Sequence, residues 1–410
     1  MMPLDICAAG CITPIGASLA ETAASARARL ANLRDGPWQD RQGEPHVVGR
    51  VPDGVLPGLA EALQAAPISR REAQLLRMGH AALAEVLEAL PDGVEVPLLL
   101  GLPEHHAMRP IDPAGFLQRL RQQSGAPLDL AHSVAVPRGR AAGLMALCQA
   151  GEHIASGAAG FVLVGGIDSF IEPWLLDTLE TAGRVRSSVN ADGFSPAEGA
   201  AFLLLGDPAR RRAPPLAVLT GAAIGHEPGH LQSDAPYLGE GLAGAVGQLL
   251  AEAPPAAPIA CTYASFNGER YWAREFGVAR VRNSGHFADA MQMEHPAECC
   301  GDLGAAHGPL LACLAAHGLA GGYRPGPCLV YASSDGGDRA AALLEALIEQ
   351  PHDQGLREEV RQNLSTLKKD ADLVADTKLG EQTGAMLDAL DAGEPMSHQP
   401  RGIEPARDHQ

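Results

Sequence analysis

Residues 133–166 read SVAVPRGRAAGLMALCQAGEHIASGAAGFVLVGG. The pattern predicts a strand over Ser133–Pro137, a glycine-flanked turn at 137–140, a helix of small residues over about Ala141–Ser156 and a buried strand over Phe161–Gly166. Several enzyme folds present a nucleophile at such a turn, because the side chain at a helix start lies in the field of the helix dipole and beside free backbone N–H groups. Here that position is Arg140, which cannot act as a nucleophile.

The composition is that of an ordinary globular protein with a strongly acidic charge. The chain has 410 residues, 46% hydrophobic and 20% charged, enough for two or three domains or one large duplicated core. The net charge of -18 argues against nucleic acid and anionic membrane surfaces as partners, since both are polyanions. No apolar run approaches the ~18 residues that cross a bilayer. We therefore expect a cytoplasmic protein with no nucleic-acid or membrane partner.

The cysteines and histidines indicate no metal site, and we predict no cofactor. The eight cysteines mostly lie in apolar runs and none has a CxxC spacing, which favours reduced thiols in the core. Glu104, His105 and His106 follow the end of a predicted strand and could be ligands. Isolated loop histidines are more often solvated, so we assign these two no role.

Strands that are apolar throughout alternate with helices along the chain. This pattern is typical of an α/β protein whose sheets are covered on both faces. The remaining predicted strands are Pro3–Ile12, Val96–Leu100, Gly199–Leu205, Leu216–Ile224, Ile259–Ser265 and Pro327–Ser333. The other predicted helices begin near Ser18 and at Ser69, or cover Gly115–Gln122, Gly239–Ala253, Cys299–Leu319 and Arg339–Glu349. Residues 33–57 are polar and are predicted to form a surface excursion.

The composition changes beyond Pro351. One apolar stripe at helical spacing runs through a charged segment, at Leu356, Val360, Leu364 and Leu367. A second short helix is predicted over Glu381–Leu390, and the polar end of the chain is predicted to be disordered. The stripe predicts a helix that packs on the body of the protein, with docking of a partner as the alternative.

Three motifs carry a resemblance to a known family. The first is AAGCITPIG at 8–16, and the second is VGGIDS at 164–169 followed by DGFSPAEGAA at 192–201. The third is GDLGAA at 301–306, with SDGG at 334–337. Over roughly residues 3–347 the chain resembles a β-ketoacyl synthase (ketosynthase) of the thiolase superfamily. The resemblance implies a layered αβαβα sandwich of two similar halves, 1–206 and 207–350, with an extra helical tail at 351–410.

The resemblance also implies that all three catalytic positions are lost. Active ketosynthases carry a Cys at the helix start and two His residues in the second half. These positions fall on Arg140, Asn267 and Gly301, and the aromatic gate before the last Gly-Gly pair falls on Asp335. Cys300 could be a displaced thiol, but the base that it requires has gone too. We therefore predict no catalytic residue.

The old active site is predicted to persist as a pocket. Arginine at a helix N-terminus is unfavourable, because its charge meets the positive end of the dipole. We therefore predict an ion pair of Arg140 with Asp335 or Glu269. Alternatively, Arg140 and the helix N–H groups could hold an anionic ligand, a carboxylate or a phosphate. The pocket residues that the resemblance brings together are Arg140, Asn267, Glu269, Cys300, Asp302 and Asp335.

The leading hypothesis is a catalytically inactive, ketosynthase-like protein that acts by binding a protein partner. It could be the partner of an active ketosynthase, or an adaptor beside a secreted-effector system such as type VI secretion. The resemblance implies a dimer, either homodimer or heterodimer, formed through strand Ser133–Pro137. A second hypothesis is an active 3-oxoacyl-[acyl-carrier-protein] synthase or other acyltransferase that uses displaced residues. A third is a sensor of acyl or anionic ligands. Fold analogy alone does not decide between them.

Overall fold

A computed structural model describes residues 2–105 and 110–347, together with Gln362 and Ser365. The predicted tail helices and His106 lie outside the described residues. The described strands are β1 Leu4–Ile12, β2 Leu33–Gln39, β3 Pro45–Gly49, β4 Leu98–Gly101, β5 Val134–Val136, β6 Phe161–Ser169, β7 Glu198–Gly206, β8 Ala217–His226, β9 Ile259–Ala264, β10 Phe287–Glu294, β11 Cys328–Ser333 and β12 Asp338–Glu345. The described helices are α1 Leu19–Arg27, α2 Glu61–Gln64, α3 Arg70–Leu87, α4 Pro113–Ser124, α5 Ala142–Ala155, α6 Pro173–Thr181, α7 Glu240–Glu252, α8 Arg270–Arg282, α9 Ala297–Cys300 and α10 His307–Ala320.

Ten of these strands form one mixed sheet, in the order β10-β9-β11-β12-β8-β1-β7-β6-β4-β5. Strands β1 and β4–β7 form one half of it, and strands β8–β12 form the other. Each half places its third strand at the edge, followed inward by its second, fourth, fifth and first. The halves meet where β1 pairs antiparallel with β8, at Leu4–Leu219, Asp5–Val218 and Ile6–Ala217. The two halves therefore share one topology.

Three layers of helices pack against the strands. A hydrophobic cluster lies between each layer and the strands that it covers. The central cluster joins α5 and α10 to residues of both halves of the sheet. A second cluster packs α3 and α4 on the first half, and a third packs α7 and α8 on the second half. Because most strands are covered on both faces, they read as continuous apolar runs. The prediction of an αβαβα sandwich is confirmed.

The predicted helix starts at Ser18 and Ser69 are confirmed, and a cap explains each of them. The Ser18 hydroxyl accepts the N–H of Glu21 at 3.2 Å, and the Ser69 hydroxyl accepts that of Glu72 at 3.1 Å. Both bonds satisfy a donor that a helix start otherwise leaves free. The sequence signal was sufficient here because a cap is local.

Two predictions of secondary structure were wrong, and the predicted surface excursion contains a hairpin that was not predicted. The predicted helix Arg339–Glu349 is strand β12 as far as Glu345; β12 pairs with β11 and β8, and is buried from Arg339 to Leu344. Helix α10 begins only at His307, since Gly301 and Gly304 adopt positive φ angles of 77° and 52° and interrupt the helix predicted from Cys299. Residues 33–57 include the hairpin β2–β3, which buries Val48. No helix in the described part of the chain is both long and apolar enough to cross a membrane.

Candidate functional site

Arg140 lies at the turn between β5 and α5. Gly139 adopts a positive φ of 65°, and the 3₁₀ turn Gly139–Ala141 leads directly into α5. The Arg140 side chain points into the protein and is only 3% exposed. It therefore needs partners for its charge, because an unpaired buried guanidinium would be strongly destabilising.

Asp302 is the main partner of Arg140. Nε of Arg140 donates to both carboxylate oxygens of Asp302, at 3.0 and 2.8 Å, and Nη2 donates to Oδ2 at 2.5 Å. The loop between α9 and α10 supplies this carboxylate. Gly301 has no side chain, so the next residue of the loop provides the charge that faces Arg140.

Asp335 joins Arg140 to a second arginine, Arg184. Nη1 of Arg140 donates to one oxygen of Asp335 at 2.5 Å, and Arg184 donates to both oxygens, at 2.5 and 3.1 Å. Arg184 also forms a two-point pair with Glu269, at 2.7 and 2.8 Å. The structure thus contains the Arg140–Asp335 pair, whereas Glu269 pairs with Arg184 instead of Arg140.

Asn267 joins the carboxylates on the other side of the cluster. Its side-chain nitrogen donates to Glu269 at 2.9 Å and to Asp302 at 2.8 Å. The Trp272 indole donates to the same oxygen of Glu269 at 2.9 Å. The ring of Trp272 lies 5.6 Å from the guanidinium carbon of Arg140, and that of Phe194 lies 5.7 Å from it. The aromatic faces add cation–π attraction to the ion pairs.

The charges of this cluster stabilise one another. Burial alone would raise the pKa of Asp302, but Arg140 outweighs burial and holds that pKa below its usual value. Burial acts against the Asp335 carboxylate in the same way, and Arg140 and Arg184 together lower the pKa of Asp335 despite it. The same carboxylates raise the pKa of Arg140 above its usual value. These residues are therefore all charged at neutral pH.

Glu104 is the exception among the carboxylates. Desolvation by burial, and then the charge of Asp335, raise the pKa of Glu104 to about 7. Its Oε1 accepts the backbone N–H of Asp335 at 2.8 Å. Within the described residues, no arginine, lysine or histidine forms an ion pair with Glu104.

Two backbone donors near the turn are already occupied. The N–H of Ala141 donates to the Ser334 hydroxyl at 3.0 Å, and that of Asp335 donates to Glu104. Acyl transfer requires free donors of this kind to stabilise an oxyanion beside the nucleophile. In this arrangement those two donors serve the protein itself.

Cys300 and His307 are buried next to Asp302, and neither lines the cavity in front of Arg140 that the described residues form. The thiol of Cys300 is buried and donates to the backbone carbonyls of Pro296 and Gly301, at 3.2 and 3.4 Å. Burial raises the pKa of this thiol, and Cys299 and Asp302 add to the effect. His307 is buried, and burial lowers its pKa to about 4. At neutral pH the Cys300 thiol therefore stays protonated, which disfavours it as a nucleophile, and His307 is a neutral imidazole enclosed in the interior.

A cavity of about 540 Å³ opens in front of Arg140. Of the sequence-predicted pocket residues, Arg140, Glu269 and Asp335 line it, whereas Asn267, Cys300 and Asp302 do not. Its apolar wall includes Phe170, Trp174, Leu175, Leu179 and Tyr271. Within the described ranges, no group of three or more His, Cys, Asp or Glu side chains could hold a metal ion.

Sequence reasoning missed Arg184 and assigned no role to Glu104. Arg184 follows α6, a helix that was not predicted, and the resemblance assigns the position no catalytic role. The sequence nevertheless contained a signal for a second cation. The charge of Arg140 requires a carboxylate beside it, and if both candidate carboxylates, Asp335 and Glu269, are buried there, their second negative charge requires a further arginine or lysine.

Comparisons with known proteins agree with this fold. Residues 131–209 match the family model described as beta-ketoacyl synthase, N-terminal domain. No curated protein matches the sequence. Among solved structures, the chain is similar to the oxazolomycin ketosynthase domain of Streptomyces albus JA3453, with a TM-score of 0.71 and 17% identity over 84% of this chain and 75% of that one.

Two further structures give the same result. The ketosynthase from module 6 of the bacillaene synthase of Bacillus subtilis 168 has a TM-score of 0.69 and 12% identity, over 89% of this chain and 77% of that one. The ishigamide ketosynthase/chain length factor has a TM-score of 0.68 and 16% identity, over 84% and 99%. The chain thus has the thiolase-like ketosynthase fold, and its resemblance to ketosynthases is confirmed.

Proposed function

We propose that this chain is a catalytically inactive ketosynthase-fold protein that acts by binding a protein partner. One observation carries the proposal. The side chain at the turn before α5, where the resemblance places the nucleophile of ketosynthases, is an arginine held by three hydrogen bonds to Asp302 and one to Asp335. Such a side chain is neither a nucleophile nor free to leave its position for a substrate.

The arrangement of Arg140 also argues against the anionic-ligand hypothesis. Two carboxylates already neutralise its charge, and its side chain is almost completely buried. An incoming carboxylate or phosphate would have to displace Asp302 or Asp335. The enzyme hypothesis has no better support, since the displaced thiol of Cys300 is buried behind the cluster.

The edge strand β5 is the surface that we propose for the partner. It is the outermost strand of its half of the sheet and pairs with β4. Val134 in this strand is 47% exposed. An open edge attracts a further strand, because its backbone donors and acceptors are free. A second ketosynthase-like chain, in a homodimer or a heterodimer, is the partner that we propose for this edge.

The backbone of β5 allows this edge to be tested without disturbing the fold. The carbonyl of Val136 accepts the N–H of Leu102 at 2.9 Å, so the peptide groups of Val136 face β4. Since peptide groups alternate along a strand, the N–H of Ala135 faces outward. Proline at this position removes an outward donor and leaves the pairing with β4 intact.

The full-length protein is first assayed by intact-mass analysis after incubation with acyl-carrier and acyl-CoA donors. We expect no acyl adduct, and an adduct on Cys300 would overturn the proposal.

A second experiment tests the β5 edge. The molar mass of the wild-type protein by light scattering is compared with that of Ala135→Pro, with Ala290→Pro in the opposite edge strand β10 as the control. We expect a dimer that only Ala135→Pro dissociates. If the protein is monomeric alone, the same variants are compared in capture of a ketosynthase-like chain from native lysate, and binding unchanged by Ala135→Pro would exclude this edge.

The finer assignments remain predictions. A role beside a type VI or similar secretion system, and a cytoplasmic location, rest on the sequence and its resemblance. Identification of the captured chain by mass spectrometry distinguishes a ketosynthase partner from a component of a secretion system.

A further inference from the structure

The cavity in front of Arg140 has the size of a ligand site. Its volume of about 540 Å³ lies within the roughly 300–1,000 Å³ typical of small-molecule pockets. Its lining combines charged side chains with aromatic and apolar ones, and the Arg71 guanidinium lies 5.8 Å from the Trp174 ring. The proposed function leaves this cavity without a role.

The charges around the cavity are not balanced. Three guanidinium groups line it, those of Arg71, Arg140 and Arg184, and each is paired with carboxylates. Five carboxylates face these three groups, with Asp302 immediately behind Arg140. The five are Glu104, Asp168, Glu269, Asp302 and Asp335. With Glu104 ionised these described groups carry five negative charges against three positive ones, and with Glu104 protonated four against three, so in either state they disfavour anions.

Among the described residues, Glu104 is the cavity carboxylate that forms no ion pair. Arg71 is paired with Asp168 at 3.0 Å, and the other two guanidinium groups contact Asp302, Asp335 and Glu269. Glu104 receives only amide hydrogen bonds within the described residues, and its side chain forms part of the cavity wall. A cation in the cavity would offset part of this excess of negative charge.

The aromatic residues of the lining suit a cation with an apolar body. The rings of Phe170, Trp174 and Tyr271 line the cavity. Aromatic faces attract ammonium groups through their quadrupole and also pack against hydrocarbon. The faces of these rings do not attract a carboxylate or a phosphate. The three guanidinium groups that line the cavity are already paired with carboxylates.

We propose that this cavity binds a small organic cation, an ammonium group carried on an apolar arm. Glu104 is its counter-ion, and the aromatic wall contacts its apolar part. This site is independent of the β5 edge, so the two proposals succeed or fail separately.

Three probes of nearly equal size and different charge test the proposal. They are 2-phenylethylamine, 2-phenylethanol and 3-phenylpropanoate, which share a phenyl ring and differ in the head group. Binding to the full chain is measured by calorimetry at constant ionic strength. We expect the ammonium probe to bind about tenfold or more tightly than the carboxylate probe. Equal binding of the three probes, preference for the carboxylate or no binding at all would each overturn the proposal.

Two variants then assign the preference to its residues. Glu104→Gln retains an acceptor for the N–H of Asp335, and we expect it to weaken the ammonium probe about tenfold while leaving the alcohol unchanged. Trp174→Leu is expected to weaken the ammonium and the alcohol together. The control is Glu240→Gln, which removes one exposed carboxylate from α7, away from the cavity. An ammonium preference that survives Glu104→Gln, with the variant's fold verified by circular dichroism, would exclude Glu104 as the counter-ion.

Discussion

Arg140 can be tested as a structural cation. Arg140→Gln leaves Asp302 and Asp335 buried beside a neutral side chain. Removing one partner of a buried ion pair typically costs about 3–5 kcal/mol, and we expect a loss of that size in the free energy of unfolding. Urea denaturation of the wild type and the variant measures it.

The matched control for Arg140→Gln is an exposed ion pair. Arg270 is paired with Asp192 at 2.7 Å, but its side chain is 74% exposed. Solvent screens such a pair, so Arg270→Gln is expected to leave the urea midpoint unchanged. Equal effects of the two substitutions would show that the burial of Arg140 has no energetic consequence.

Glu104 is expected to destabilise the protein at neutral and higher pH. Its pKa of about 7 in the folded state lies above the usual 4.5, so the folded state binds the proton more tightly than the unfolded state. Stability contributed by the protonated group is present below pH 4.5 and is lost as the pH rises through 7. Glu104→Gln, which cannot ionise, should therefore gain roughly 1–3 kcal/mol at pH 8 and nothing at pH 4.

Urea denaturation at both pH values checks this prediction. Glu240→Gln, on the surface, serves as the control and should show no pH-dependent gain. A gain for Glu104→Gln that is the same at pH 4 and pH 8 would contradict the assignment of the effect to ionisation.

Single residues of the site were predictable from sequence to different degrees. The position of Arg140 follows from a turn between two apolar elements, and its need for carboxylates follows from electrostatics. Asp302 is the main partner because of the conformation of the loop at Gly301. Local sequence patterns do not predict that conformation. The pairing of Arg184 with Glu269 joins positions 85 residues apart, and no local pattern carries that information.

The turn before α5 depends on one glycine. Gly139 has a φ of 65°, and a Cβ added there would lie 2.6 Å from a side-chain carbon of Glu104. Gly139→Ala therefore combines an unfavourable backbone conformation with a steric conflict, and we expect a loss of roughly 2 kcal/mol or more in stability. Gly43→Ala is the control, because Gly43 also has a positive φ, of 85°, but open space around it.

Thermal unfolding of the two glycine variants separates the cost of the backbone conformation from the cost of the steric conflict with Glu104. The control is expected to lose only the conformational contribution of roughly 1 kcal/mol. A loss for Gly139→Ala no larger than that of Gly43→Ala would mean that Glu104 moves aside at no cost.

Elements with local signals were predicted well, and those defined by partners were not. Capping serines and amphipathic spacing identified α1 and α3 because both signals are local. The run Ala340–Leu344 has high helix propensity, yet it is a strand between β11 and β8. Alanine and leucine favour a helix in isolation, but pairing on both sides and burial on both faces outweigh that preference here.

For the whole molecule, the buried ion cluster predicts loss of stability in acid. The pKa values of Asp302 and Asp335 lie below their usual 3.8 in the folded state. Their contribution is therefore present above pH 3.8 and is lost as the pH falls through the folded values. The melting temperature of the wild type should drop steeply below pH 4. Asp335→Asn, less stable at pH 6, should show a shallower drop; parallel curves would contradict this.

The fold as a whole was predictable from its apolar strands and its glycine motifs. Apolar strands that alternate with helices indicate a sheet covered on both faces, and the glycine motifs restrict which fold of this kind is present. The strand order, by contrast, is set by pairings such as β1–β8, which bring the chain start beside residue 217. Composition does not encode such a pairing directly.

The buried ion cluster also limits which substitutions the protein can accept at Arg140. Arg140→Cys would place a thiol at the turn, but it would leave Asp302, Asp335, Glu269 and Glu104 around a single arginine. We expect that variant to be as unstable as Arg140→Gln, and its thiolate to be disfavoured by the surrounding negative charge. A reactive thiol at this turn would therefore require several carboxylates to be replaced first. Because each charge of the cluster depends on the others, single substitutions are selected against and the cluster is expected to change only as a group.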